Sequence, residues 1–308
     1  MASTSDDSWA GRRRQMENGP YRSGPNGRRG RWRHRPFKLL IALFGASLRL
    51  TPLYARGRRN ALDLKLVDLE IAIPGLPAAF DGYRIAHVSD THLDELPELA
   101  EAARRLLDGV EVDLLALTGD IHGHVRAPLA RSTGFLAHAL GSLVVRDRRV
   151  AVLGNHDPAA MVGLLQDIGF EVLVNRSMVL ERGGERLRLT GLDDVHFFYT
   201  ERVHDALHDH AGEVRIALVH SAEVADHAAN AGYALYLCGH THGGQICLPG
   251  GRPVVTQLTR CRHAGKGLWR QGSMTGYTTS GLGVSGPPLR FNCRGEVALI
   301  TLRKAPPQ

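Results

Sequence analysis

Cysteine is scarce. Cys238, Cys247, Cys261 and Cys293 are the four in 308 residues, and no two form a Cys-x-x-Cys pair. That excludes a zinc ribbon and a dense disulfide framework, and it favours reduced thiols in a reducing compartment. Aromatic residues make up only 6% of the chain. In the Arg-rich stretch 1–35 they are Trp9, Tyr21 and Trp32, too few to interleave with the basic residues as a nucleic-acid surface requires. Nucleic acid is therefore not an expected partner. No run approaches the ~20 apolar residues of a spanning helix. No internal repeat is present, which excludes a solenoid. Acidic residues are nearly missing from the first 60 positions, where Asp6, Asp7 and Glu17 face 14 Lys and Arg for a net charge of +11. The remainder has 24 basic and 28 acidic residues, a net of −4, so the basic character belongs to the N-terminal tail.

Apolar residues at 43% can build a large core, and 35 glycines suit many tight turns. The composition shift divides the chain into a basic extension, 1–60, and a single catalytic domain, 61–308. Residues 1–35 have almost no aliphatic side chains and are expected to be disordered. The run Leu39–Leu48, bounded by Lys38 and Arg49, matches the apolar region of a signal peptide in length, but no small-x-small cleavage site follows. An interfacial helix with a polybasic flank is the expected form, placing the protein peripherally on an anionic membrane surface at the cytoplasmic face of the inner membrane. Export or membrane anchoring through the same run is the alternative, as is a helix packed on the catalytic domain.

From residue 62 the apolar pattern alternates strands and helices. Leu62–Ile73 changes phase midway, predicting a bulged strand or two short ones. Tyr83–Ser89, Val112–Leu117 and Arg149–Leu153 read as strands; Leu96–Leu107, Leu129–Leu140 and Ala159–Ile168 read as helices between and after them. Short strands follow Gly169. Glu201–His208 reads as a helix, Val214–Val219 as a strand, Ala222–Ala229 as a helix, and Ala234–Cys238 and Val297–Leu302 as strands. The order predicts a layered α/β fold with its chemistry at strand ends.

Polar clusters sit at those ends: Asp90-x-His92, Gly119-Asp120, Gly154-Asn155-His156-Asp157, His220-Ser221 and Gly239-His240-Thr241-His242-Gly243-Gly244-Gln245. Asp90, His92, Asp120, Asn155, His220, His240 and His242 are oxygen and nitrogen donors suited to Mn²⁺, Fe or Zn²⁺. Seven donors exceed the needs of one ion and would serve two that share a carboxylate. Cys238 reads as a buried strand residue and His87 as a core residue. His122 and His124 read as rim residues. His196, His204, His208, His210 and His227 are assigned to a cap region or to helix surfaces, with no role at the centre.

These clusters, in this order, resemble the calcineurin-like metallophosphoesterase superfamily over roughly residues 83–302. The Gly-His-Thr-His-Gly-Gly-Gln form is similar to its small bacterial phosphodiesterase branch, which includes membrane-associated enzymes and some acting on UDP-2,3-diacylglucosamine. The resemblance implies a four-layer sandwich of two mixed β-sheets flanked by helices. It implies two divalent ions, one on Asp90, His92 and His242, the other on Asn155, His220 and His240, with Asp120 bridging. His156 would be the proton donor and Asp157 would orient it. The family often carries a second acid three residues after the bridging Asp; here that position is Gly123. The expected substrate is a phosphodiester or pyrophosphate, because no Arg follows His156 to clamp further phosphate oxygens; Arg126 or Arg131 could serve from a distance. A phosphomonoesterase or protein phosphatase is the alternative, and a metal-binding scaffold without catalysis is a third reading. The sequence says nothing of oligomeric state.

Overall fold

The structure is a computed structural model that describes residues 8–30, 35–123, 127–208 and 213–306. The N-terminal part holds α1 (Trp9–Asn18), a hairpin of β1 (Tyr21–Gly24) and β2 (Gly27–Gly30), α2 (Arg35–Arg49) and α3 (Pro52–Leu62). Next come β3 (Lys65–Ile73), β4 (Arg84–Val88), α4 (Glu98–Leu106), β5 (Glu111–Thr118), α5 (Leu129–Ala139), β6 (Val144–Val152), α6 (Met161–Asp167) and β7 (Glu171–Val172). The last part contains β8 (Arg176–Arg182), β9 (Glu185–Gly191), α7 (Arg202–His208), β10 (Arg215–Leu218), α8 (Ala225–Asn230), β11 (Leu235–Cys238), β12 (Gly267–Gln271), β13 (Met274–Thr278) and β14 (Glu296–Lys304).

Two six-stranded sheets result, ordered β3-β14-β4-β5-β6-β7 and β12-β13-β11-β10-β9-β8. In the first, β4, β5, β6 and β7 are parallel and β14 runs against β4. In the second, β9, β10, β11 and β13 are parallel, with antiparallel edges β8 and β12. Strand period assigns the faces. Ile85, Leu114, Ala116, Val150 and Val152 meet Leu187, Leu189, Ile216, Leu218, Leu235 and Leu237 between the sheets. The alternate residues Ala86, Val88, Leu115 and Leu117 face α4, α5 and α6, while Ala217, Val219 and Tyr236 face α7 and α8. This is the expected four-layer sandwich of two mixed sheets flanked by helices. Helix α4 shows why such a layer forms: Leu99, Ala100 and Ala103 turn inward, with Glu98 and Glu101 in its first turn and Arg104 and Arg105 in its last, complementing the helix dipole.

The phase change seen at Leu62–Ile73 is a change of the face that is buried, not a bulge. Leu62 ends α3, and β3 pairs with β14 from Lys65 to Ile73 without a register shift; Leu64 and Leu66 pack into the helix-side core, while Leu69, Ile71 and Ile73 enter the core between the sheets. Helix α3 runs across the boundary expected at residue 60, burying Ala61 in the core and setting Gly57 against the Phe291 ring. The hairpin β12–β13 and helix α3 were not anticipated. Nor does the expectation of disorder over 1–35 hold for Trp9–Gly30. Helix α1 is capped by Ser8, whose Oγ accepts the Gly11 N–H at 3.1 Å, and it docks by polar contacts onto Gly154–Ala159 and Asp193, while Ser23 of β1 bonds Phe197 and Tyr199.

Candidate metal centre

The parallel strands deliver the polar clusters from their C-terminal ends. Asp90 and His92 follow β4, Asp120 follows β5 and Asn155 follows β6 in the first sheet; His220 follows β10 and His240 follows β11 in the second. Contacts across the seam close the group. His220 Nδ1 donates to Thr118 O at 2.8 Å, and the His240 N–H reaches the Asp90 carboxylate at 2.9 and 3.1 Å. Asp90, His92, Asp120, His240 and His242 all hold φ between +36° and +71°, a strained region for residues with a Cβ and one that clusters at functional sites. Close approach demands glycine twice: a Cβ on Gly154 would collide with Asp120, and one on Gly239 with Asp90.

All seven expected donors are brought together and all are buried. Asp90, His92 and His242 can place three ligand atoms within 4.8 Å of one another, as can Asp90, Asp120 and His220. Asp120 Oδ2 lies 3.5 Å from His92 Nε2 and 3.3 Å from His220 Nε2. Asn155 Oδ1 and His240 Nδ1 lie 3.1 and 3.3 Å from His220 Nε2. The set fits cations. Buried His92 Nε2 faces the cluster without a hydrogen-bond partner, an arrangement that costs free energy without an ion, and His242 Nε2 lies 3.4 Å from Asp90 Oδ1. His92 Nδ1 donates to His122 O at 3.0 Å, which turns Nε2 towards the cluster, as metal-binding imidazoles require.

Charge agrees. Burial disfavours an imidazolium at both His92 and His220, yet the Asp120 carboxylate overrides it, raising them to about 9 and about 10. Burial holds His240 and His242 well below the usual histidine range. A cation held among these donors would take the place of the protons that Asp120 draws onto His92 and His220.

His156 is exposed at the end of its turn, its ring 5.1 Å from that of His92, and its N–H donates to Asp120 Oδ1 at 2.8 Å. Asp157 differs from the expected orienting role. Its buried carboxylate accepts the backbone N–H groups of Asp120, Ile121, His122 and Gly154 at 2.8 to 3.0 Å. It ties the Asp120 and Asn155 turns together. His122, expected on the rim, is buried, with Nδ1 3.0 Å from Ser132 Oγ and 3.5 Å from Asp94. His124, Arg126 and His210 lie outside the described residues. Arg131 sits on α5 over the Phe135 ring. His87 is a core residue, its Nε2 2.8 Å from Thr118 Oγ1. Cys238 is a buried strand residue whose thiol is pushed up to about 12 by burial.

Three contributors were missed. His196, assigned to a cap region or a helix surface with no role at the centre, is buried with its ring 4.3 Å from that of His240 and its Nδ1 3.2 Å from Glu223. Asp194 turns the chain that carries it, accepting the N–H groups of His196 at 3.1 Å and Phe197 at 2.7 Å. Arg290 is fully buried and donates to the carbonyls of His242, Ser280, Gly281 and Gly283, pinning the Gly239–Gln245 loop. The Asp193-Asp194 pair was findable, since it too follows an apolar strand, β9.

A double sheet with such a centre at its strand ends defines a metal-dependent hydrolase of phosphoester bonds. The chain belongs to the calcineurin-like phosphoesterase family, whose profile matches residues 83–244. It is 30% identical to the uncharacterized metallophosphoesterase YkuE of Bacillus subtilis over 74% of this chain and 82% of that one. It is 27% identical to the phosphodiesterase YaeI of Escherichia coli, over 71% of this chain and 82% of that one. A transmembrane protein with metallophosphoesterase domain from Danio rerio is 28% identical over 78% of this chain and 58% of its own length.

Proposed function

We propose that the chain is a binuclear phosphodiesterase, cleaving a phosphodiester or pyrophosphate bond, held peripherally at the cytoplasmic face of the inner membrane. The observation that carries the reading is Asp120, which stands between His92 and His220 within 3.5 Å of each. One ion would rest on Asp90, His92 and His242, the other on Asn155, His220 and His240, with Asp120 shared. When bound, two such ions supply Lewis acidity to the phosphoryl group and make water a nucleophile at neutral pH. His156, at the exposed end of its turn, gives a proton to the departing oxygen. Asp157 holds the two turns that carry Asp120 and His156 in fixed relation.

The diester preference is supported by the cations nearby. The guanidinium groups of Arg13 and Arg290 are buried and bonded to protein acceptors, so neither is offered to the second charge of a monoester. The name of the Escherichia coli relative points the same way. Helix α2 supports the membrane location. Leu39, Leu40, Leu43 and Phe44 are exposed on it, with Leu50 and Leu53 just beyond; no single described helix is long and apolar enough to span a bilayer, and α2 and α3 reach that length only as a pair bent by 107°. The cysteines are free thiols, as a reducing compartment favours. The test is hydrolysis of bis(p-nitrophenyl) phosphate, p-nitrophenyl phosphate and UDP-2,3-diacylglucosamine with added manganese. Turnover of the diester or the pyrophosphate should exceed that of the monoester; a monoester preference would place the enzyme among phosphatases.

A further inference from the structure

Arg13 precedes the family-matched region, yet it is fully buried beside the site. Its Nη2 donates to Gly154 O at 3.0 Å and to Asp157 O at 2.7 Å. Those two carbonyls bracket Asn155 and His156. Nη1 is ion-paired with Asp193, and the guanidinium carbon lies 3.5 Å from the centre of the Phe198 ring. Trp9 and Glu17 extend the same helix face at i−4 and i+4. Trp9 Nε1 donates to Asp193 Oδ2 at 2.7 Å, and Glu17 Oε1 accepts the Ala159 N–H at 2.7 Å. The chain then crosses to the second-sheet side, where the Ser23 N–H donates to Phe197 O at 2.8 Å and the Tyr199 N–H to Ser23 O at 2.9 Å. Helix α1 and strand β1 therefore clasp the turn after β6 to the segment after β9.

We infer that Arg13 is a positioning residue for the phosphoester reaction: its two bonds to the Gly154–Asp157 turn set the backbone that carries His156. The inference rests on the reading of His156 as proton donor. The His156 ring is exposed and meets the His92 ring edge-on at 5.1 Å, and the backbone of its turn sets the position from which it makes that contact. Asp157 ties that turn to Asp120 from one side, and Arg13 grips its carbonyls from the other. A buried guanidinium needs acceptors and counter-charge, and here the turn supplies two acceptors to Nη2, Asp193 pairs Nη1, and Glu17 Oε1 lies 3.3 Å from Nε. Loosening either grip lets His156 drift from the leaving oxygen, and an ångström of misplacement costs up to ~10²-fold in rate.

The test uses the full-length, manganese-loaded enzyme and two diesters, one with a p-nitrophenolate and one with an alkoxide leaving group. Arg13→Ala should lower kcat roughly 10- to 100-fold on the alkoxide diester with little change in KM, less on the p-nitrophenyl diester. Arg13→Lys should recover part of the loss. Combined with His156→Ala, Arg13→Ala should cost almost nothing more, because the two changes remove one function. If His156→Ala shows the leaving-group dependence and Arg13→Ala does not, or if the two losses multiply, the positioning role is wrong. If neither shows it, the donor reading fails and this inference with it. Should Arg13→Ala not fold, Asp193→Asn, which weakens the hold on the guanidinium, is read by the same criteria.

Discussion

Asp120 and Asp157 are locked together: the Asp157 carboxylate accepts the Asp120 N–H at 2.8 Å, and the Asp120 carboxylate in turn accepts the N–H of His156, the residue before Asp157, at 2.8 Å. Each acid thus holds the other's turn. Replacing Asp157 by Ala leaves four buried N–H groups without their acceptor. Asp157→Ala should lose at least about 1–3 kcal/mol of folding stability, and metal content should fall with it. Urea unfolding alongside elemental analysis checks this. A variant as stable and as metal-rich as the parent would show that the tie is dispensable.

His156 should behave differently. His156→Ala is expected to keep its ions and lose roughly 10²–10⁴-fold in turnover, with a smaller loss when the leaving group is already a weak base. If metal content drops in proportion to activity, His156 is a ligand rather than a donor.

How much of this was readable in advance follows from what each element leans on. The seven donors were legible because each ends an apolar strand, so strand period and residue type mark both its place and its chemistry. Helix α1 was not, because it carries few apolar side chains and is held by Trp9, Arg13 and Glu17 through hydrogen bonds to partners more than 140 residues away. Composition reads such a segment as unable to fold alone, which is a different matter from folding against a finished site. The buried position of His196 depends on the Asp194 turn, and no periodicity reports a turn held by side-chain bonds. Asp157 was placed correctly in space and wrongly in role, because sequence adjacency to His156 says nothing of which N–H groups its oxygens reach.

His87 gives a pH prediction. Burial pushes its pKa down from 6.5 to about 3, so the folded protein keeps it neutral while the unfolded chain takes up a proton below 6.5. The stabilising effect is complete above pH 6.5 and is lost as pH falls towards 3, by up to about 1.4 kcal/mol per pH unit. His87→Gln, which has nothing to protonate there, should lose less stability than the parent across that window. Parallel denaturation curves from pH 7 to 4 decide it, and identical slopes would mean that His87 is protonated in the fold.

The proposed membrane location turns on α2. At 15 residues it is ~22 Å long, short of a ~30 Å hydrocarbon core, and its exposed leucines suit an interfacial position. Leu40→Asp with Leu43→Asp should release the enzyme from anionic vesicles while hydrolysis of a soluble diester is retained. These substitutions test the helix without disturbing α1, which a deletion of residues 1–60 would remove. Vesicle binding that survives the double substitution and high salt would point to another attachment.

The most direct measurement is the metal content of Asp120→Asn. The purified parent should carry about two divalent ions per chain, as a seven-donor centre allows. If Asp120 is the shared ligand, the amide must depress both occupancies together, and activity must fall with them. Two ions at full occupancy in Asp120→Asn would contradict the bridge, and with it the binuclear centre built around Asp120.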